Sequence, residues 1–317
     1  MLNVVQPLKA LRTRYSYDAF QRLSHSLNRV DKGNLEVYTT PLAKEFSNLL
    51  KHVDTMFEKR SHELDVPLEQ LEDSNRSNIA PRSIALPFSE RISQLEGSYE
   101  SYEGKDPSHL HTLVLNDPYL KRYFNRLKSV PVSTASKVLK PQTGAGSPYF
   151  QKKGLVLAKA LADYNRTDDL LFEDEPAVQA TRTQGGKEHK TRTVWVISIL
   201  RILSEMRFFI PLLGVEKLLP WRHALRGPEE VDSKVTSIFQ ALAANPKFKL
   251  LSIDFSHYDD SLKHELLQEV GQIAGYLFRP SDKEAIRALF DTLSQVGLIT
   301  PIGLLDGRHG MPSGSTF

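Results

Sequence analysis

Residues 248–262, FKLLSIDFSHYDDSL, place three carboxylates directly behind an apolar run. Six residues dominated by Phe, Leu and Ile predict a buried strand at 248–253, and a strand belongs in a sheet whose other members must come from elsewhere in the chain. Two helical patterns follow, one through Leu262, Leu266, Val270, Ile273 and Leu277, the other through Ile286, Leu289, Phe290, Leu293 and Val296. Ser281 and Glu284 have the spacing of a capping box for the second. After Gly297 come the short apolar runs LIT and IGLL, a turn at Asp306-Gly307 and then GMPSGSTF. Strands and helices alternate without a regular βαβ period, so the expected class is α+β. An acid at the tip of a strand sits at the sheet's rim, where it can hold a cation without being buried unpaired. Carboxylates in that position suit a hard divalent ion such as Mg²⁺, which takes one or two of them and fills its other positions with water and phosphate oxygens. The alternative is a loop in which Asp254, Asp259, Asp260 and Ser261 bond their own backbone and cap the next helix.

Upstream, helical spacing predicts two amphipathic helices over 8–30 and 41–60, the second started by Thr40 and Pro41, and a third over 228–244 between Pro228 and Pro246. Residues 61–107 read as long connections with short elements. Between 121 and 159 there are nine lysines and arginines and no acid. That is the charge pattern of a polyanion contact or of a solvated face. The segment encloses the Gly/Pro loop PQTGAGSPYF, and DYNRTDDLLFEDE after it reads as an exposed acidic element. The apolar stretch 194–213 is interrupted by Arg201, Glu205 and Arg207 and does not read as a membrane span. Residues 1–30 carry Lys9, Arg12, Arg14 and Arg22 where a secretory signal would need an apolar core. With no cysteine in 317 residues, disulfides and thiolate metal sites are excluded. Histidines 109, 111, 257 and 264 lack metal-ligand spacing and read as solvated or loop residues.

Four short segments occur in a telling order. DFSHYD carries Asp254 and Asp259 in the D-x4-D pattern that resembles motif A of viral RNA-dependent RNA polymerases; GMPSG at 310–314 resembles their motif B. KEHKTRTVW at 187–195 is similar to the basic motif F, and TGAGSPY at 143–149 to motif G, the loop that admits the template. KTRTVW and DGRHGMPSGSTF are most similar to the polymerases of picobirnaviruses and partitiviruses.

The resemblance implies a right-hand polymerase. Residues 1–120 would be a helical extension and the start of the fingers, 121–247 the fingers, and 248–317 a partial palm. It implies two-metal nucleotidyl transfer with Mg²⁺ or Mn²⁺ for viral RNA replication and transcription, in host cytoplasm or virion. Asp254 would bind both ions, and Asp259 would bond the incoming ribose 2′-hydroxyl. Arg192, Lys190 and Lys187 would meet the triphosphate, and Ser313 and Gly314 the templating base and nucleotide. Thr143, Gly144, Gly146 and Ser147 would line the template path. The implied partners are RNA template and nascent strand, nucleoside triphosphates and viral capsid, with no membrane segment.

Two departures bear on this. The threonine and asparagine that follow the motif B serine are not assignable, and no Gly-Asp-Asp motif C follows; Asp168-Asp169 lacks an apolar strand before it. The expectation is an N-terminal portion of a polymerase that ends within motif B and is inactive alone. A non-catalytic RNA-binding protein, a reverse transcriptase and a capsid protein are the competing readings. Asp259 in place of a steric gate argues against the reverse transcriptase.

Overall fold

The computed structural model describes residues 2–36, 47–63, 67–68, 70–71, 84–100, 104, 106–166, 175–184, 190–245, 247–255 and 258–316. Helix α1 (Tyr17–Lys32) begins at Ser16, whose hydroxyl accepts a hydrogen bond from Ala19 N–H. It buries Ala19, Leu23, Leu27 and Val30, one stripe at helical spacing. Helix α2 (Ser47–Arg60) falls within the second predicted helix. Helix α3 (Ile92–Ser98) sets Leu95 into the central core beside Trp195, Ile197, Leu298 and Leu305. Residues 108–115 form α4 (Ser108–Leu115), and single turns follow at 118–121 and 132–135.

One mixed sheet organises the middle of the molecule. Its strands are β1 (Val4–Gln6), β2 (Ala177–Gln184), β3 (Lys190–Val196), β4 (Leu298–Thr300) and β5 (Gly303–Leu305), in the spatial order β1-β5-β4-β2-β3. β2 and β3 form an antiparallel hairpin, and β2 runs parallel to β4 through Ala177–Leu298 and Val178–Ile299. LIT and GLL thus became strands as their patterns require. β2 was not expected: AVQATRTQ alternates, but with threonine and glutamine in place of the aliphatic residues that mark a strand.

Helix α5 (Lys153–Tyr164) and helix α6 (Ile199–Glu216) pack through Val156, Ala160, Tyr164, Ile199, Leu200 and Leu203. The charged interruptions of 194–213 all fall in α6, and no described helix is long and apolar enough to cross a membrane. Helix α7 (Pro228–Ala244) starts at its predicted proline. Helices α8 (His264–Leu277) and α9 (Pro280–Leu293) pair through Leu267, Ala274, Leu277, Ile286, Phe290 and Leu293, with Phe208 of α6 against them. The capping box does not form, because Pro280 takes the first helical position and draws Ser281 inside the helix.

The strand predicted at 248–253 is overturned. Residues 248–255 form no regular element and join no strand ladder, with Leu251 77% and Ile253 68% exposed. A strand is buried by neighbours on its edges and faces. Among the described residues none pairs with this segment, and the β3 edge of the sheet is covered by residues 313–316 instead. The adjoining α7 buries no residue and exposes Val231, Val235 and Phe239. The apolar pattern predicts a buried strand, and the segment is instead exposed.

Candidate nucleotide and RNA site

Asp254 lies on this exposed segment, and its carboxylate accepts a hydrogen bond from Phe255 N–H at 3.0 Å. Its other lone pairs face solvent. No group of three or more acids or histidines able to hold a metal occurs among the described residues. That donor set still fits Mg²⁺, which needs only one or two protein carboxylates where phosphate oxygens complete the shell.

Asp259 and Asp260 sit on a single helical turn, Tyr258–Ser261. Burial and the neighbouring Asp260 push the Asp259 carboxyl above its ordinary range, while the Arg192 guanidinium pulls it back. The arginine of β3 is therefore within electrostatic reach of Asp259. Backbone bonds tie the loop 309–316 to the same turn and to the end of α3: Met311 N–H donates to Asp259 O at 2.9 Å, and Gly310 N–H to Ser98 O at 2.8 Å. A Cβ at Gly310 would stand 2.7 Å from Asp259 O, so only glycine permits the approach. Asp260, which sequence left without a role, accepts a hydrogen bond from the Ser98 hydroxyl.

The loop's far side lies on β3. Ser313 Oγ accepts from Trp195 N–H and donates to Thr193 O, each at 3.4 Å, and a Cβ at Gly314 would overlap Trp195 O. Segments that resemble motifs A, B and F thus converge through Asp259, residues 310–314 and Arg192. Lys190 opens β3 opposite Gln184, and Lys187 lies outside the described residues.

The loop that resembles motif G is divided. Thr143 and Gly144 are exposed, with Thr143 O accepting from Lys153 N–H at 2.8 Å. Gly146 and Ser147 are buried; Ser147 Oγ donates to Glu175 and lies 3.0 Å from the Tyr15 hydroxyl. The acidic segment is likewise more than an exposed element at its two described ends: Glu175 anchors this loop, and Asp163 accepts from the Tyr149 hydroxyl at 2.8 Å. Residues 167–174 lie outside the described residues.

Three features escaped the sequence reading. Arg182 stands directly opposite Arg192 across the hairpin, both exposed. Strict alternation in QATRTQ was the available signal. Next, Arg201 and Glu205, taken only as interruptions of an apolar stretch, form a buried ion pair at 3.1 Å. Glu205 also accepts from Ser315 Oγ at 3.1 Å and Thr316 N–H at 2.9 Å, which fixes the end of the motif B loop. The i, i+4 spacing was the clue.

His264 contradicts the solvated or loop expectation: it is buried, 2.8 Å from Ser294 Oγ, and His309, which that reading did not include, is buried too, each with a polar partner inside the fold. The His309 ring lies 4.3 Å from Trp195 and bridges Val296 O and Gly310 O. Burial pushes its pKa down to about 4 while the two carbonyl contacts pull it up, and a neutral ring can donate to only one of the two carbonyls.

No family model matches the chain. The potential RNA-dependent RNA polymerase of human picobirnavirus (strain Human/Thailand/Hy005102/-) is 26% identical over 307 residues, covering 91% of this chain and 56% of that protein. The crystal structure of the RNA-dependent RNA polymerase of a human picobirnavirus superposes with a TM-score of 0.67 at 20% identity, over 95% of this chain and 61% of that one. The fold is that of a viral RNA-dependent RNA polymerase. The insertion-loop deletion mutant of the picobirnavirus enzyme gives a TM-score of 0.65 at the same 20% identity. The chain spans little more than half the length of the curated polymerase that it matches.

Proposed function

We propose that these residues form the fingers (121–247) and the beginning of the palm (248–317) of an RNA-directed RNA polymerase, with 1–120 as a helical extension that starts the fingers. The observation that carries this reading is the convergence of Arg192, Asp259 and the 310–314 loop from distant parts of the chain. Divalent magnesium or manganese, when bound, would neutralise phosphate charge and lower the pKa of the attacking hydroxyl. Asp254 is the carboxylate that would hold it, in an otherwise solvent-facing position.

The chain's own residues supply the rest. Like charges directly opposite on a hairpin destabilise it unless an anion lies between them, so Arg182 and Arg192 fit a triphosphate, with Lys190 and Lys187 as further point charges. Asp259 accepts a hydrogen bond from a ribose 2′-hydroxyl. Ser313 and Gly314 set the loop against β3, beneath the base, and Thr143 and Gly144 offer a solvent-facing edge to the template. The substrates are ribonucleoside triphosphates and an RNA template with its nascent strand, in host cytoplasm or virion, where a capsid is a natural neighbour.

The test is sugar discrimination by a polymerase that contains these residues. Asp259→Ala is expected to lower the preference for ribo- over deoxyribonucleotides at least tenfold in kcat/KM, because a site that pairs a hydroxyl rejects the analogue lacking it. Unchanged discrimination with RNA synthesis intact would contradict the role given to Asp259.

A further inference from the structure

We propose that a groove between α1 and α5 binds the sugar-phosphate backbone of single-stranded RNA, as an outward continuation of the template path. The choice of RNA among polyanions rests on the polymerase reading above. The groove has a volume of about 350 Å³ and is lined by Arg14 and Arg22 on one side, Leu155, Lys159 and Asp163 on the other, and Pro148 between them.

Charge favours an anion there. Arg22 and Lys159 face a single lining carboxylate, Asp163, to which the Tyr149 hydroxyl already donates, while Arg14 lies 3.9 Å from Glu175 as an ion pair. Lys159 is exposed and lies 5.8 Å from the Tyr149 ring centroid. The guanidinium of Arg22 donates to Tyr149 O at 3.3 Å, which fixes its position relative to the loop. Two cations, Arg22 on α1 and Lys159 on α5, set on either side of a braced loop present a preorganised phosphate surface.

Geometry favours a strand over an isolated phosphate. Leu155, one helical turn before Lys159, is 76% exposed at the groove's rim, where an unstacked base can cover it. A duplex keeps its bases inside and offers nothing to that side chain. The groove also continues from the exposed end of the motif G loop, since α5 begins where Lys153 bonds Thr143. With Gly146 and Ser147 buried, the strand leaves that loop past Thr143 and Gly144 and follows α5 toward Lys159.

Fluorescence anisotropy of a labelled oligouridylate, with uridine monophosphate as competitor, tests this on the chain itself. Lys159→Glu with Arg22→Gln is expected to weaken binding tenfold or more and to make the slope of log affinity against log salt shallower by about 1.4, the share of two phosphate contacts on a single strand. Lys159→Glu alone, at an exposed helical position, should shift the slope by about 0.7 and serves if the double variant fails to fold. Lys234→Glu, exposed on α7 and outside both the groove and the basic run 121–159, should stay within about twofold of the parent. Parent-like affinity and slope in the Lys159 variants would overturn the groove while leaving the polymerase reading intact. Displacement by the monophosphate at equal phosphate concentration would make it a free-nucleotide pocket and overturn the strand proposal. Absence of any RNA binding by the parent chain would remove both.

Discussion

Asp254→Asn is expected to reduce RNA-templated nucleotide incorporation at least about a thousandfold in a polymerase that contains these residues, with RNA affinity within about twofold of the parent. The substitution keeps shape and removes only charge. Asp254 accepts a single backbone hydrogen bond, from its own neighbour, and is exposed, so the fold loses almost nothing. A divalent ion beside a triphosphate, by contrast, depends on anionic ligands, and losing one removes several kcal/mol of transition-state stabilisation, each ~1.4 kcal/mol a factor of ten. Single-turnover incorporation and filter binding on the same preparations separate the two effects. Turnover within about tenfold of the parent would exclude the metal role.

The second large effect is on stability. Glu205→Ala is expected to destabilise the fold by about 3–5 kcal/mol, because it leaves the Arg201 guanidinium buried without its carboxylate. Glu205 is fully buried and Arg201 is 2% exposed, so water cannot replace the lost partner. Arg201 keeps bonds to Leu289 O at 2.9 Å and Thr292 Oγ1 at 3.1 Å, but both acceptors are neutral. The same change frees Ser315 and Thr316, and with them the end of the 309–316 loop. Thermal unfolding should show a midpoint lower by about 5–7 °C. Glu205→Gln retains an acceptor and should recover part of the loss. A Glu205→Ala midpoint within about 2 °C of the parent would contradict the anchoring role.

What could be read from sequence follows from how local each signal is. Pro228 marked a helix start because proline acts on its own backbone, whereas Pro280, not used in the sequence reading, displaced the predicted capping box; LIT and GLL became strands close enough to meet through a tight turn. The segment 248–253 failed because burial of a strand is decided by residues far away in sequence, which composition cannot report. Ser147 and Gly146 were read as facing the template because a Gly-Ser loop is normally at the surface. Tyr15 and Glu175, 132 and 28 positions from Ser147, cover them. Arg201 and Glu205 looked like breaks in an apolar helix, yet they partner each other and the motif B loop. The proposed nucleotide site rests on short motifs at Asp259, Arg192 and Gly314, whose convergence the structure describes. It was illegible where it depended on cross-strand register, as at Arg182.

The account's central claim is that the Asp254 carboxylate is an ion ligand beside a bound triphosphate. Crystals of a polymerase that contains these residues, soaked with Mn²⁺ and a non-hydrolysable ribonucleoside triphosphate, give the direct reading. The predicted result is an anomalous peak about 2.0–2.2 Å from an Asp254 oxygen and in contact with phosphate, with Arg192 on the same triphosphate. A triphosphate bound with its manganese held by other residues, and Asp254 touching neither, would contradict it.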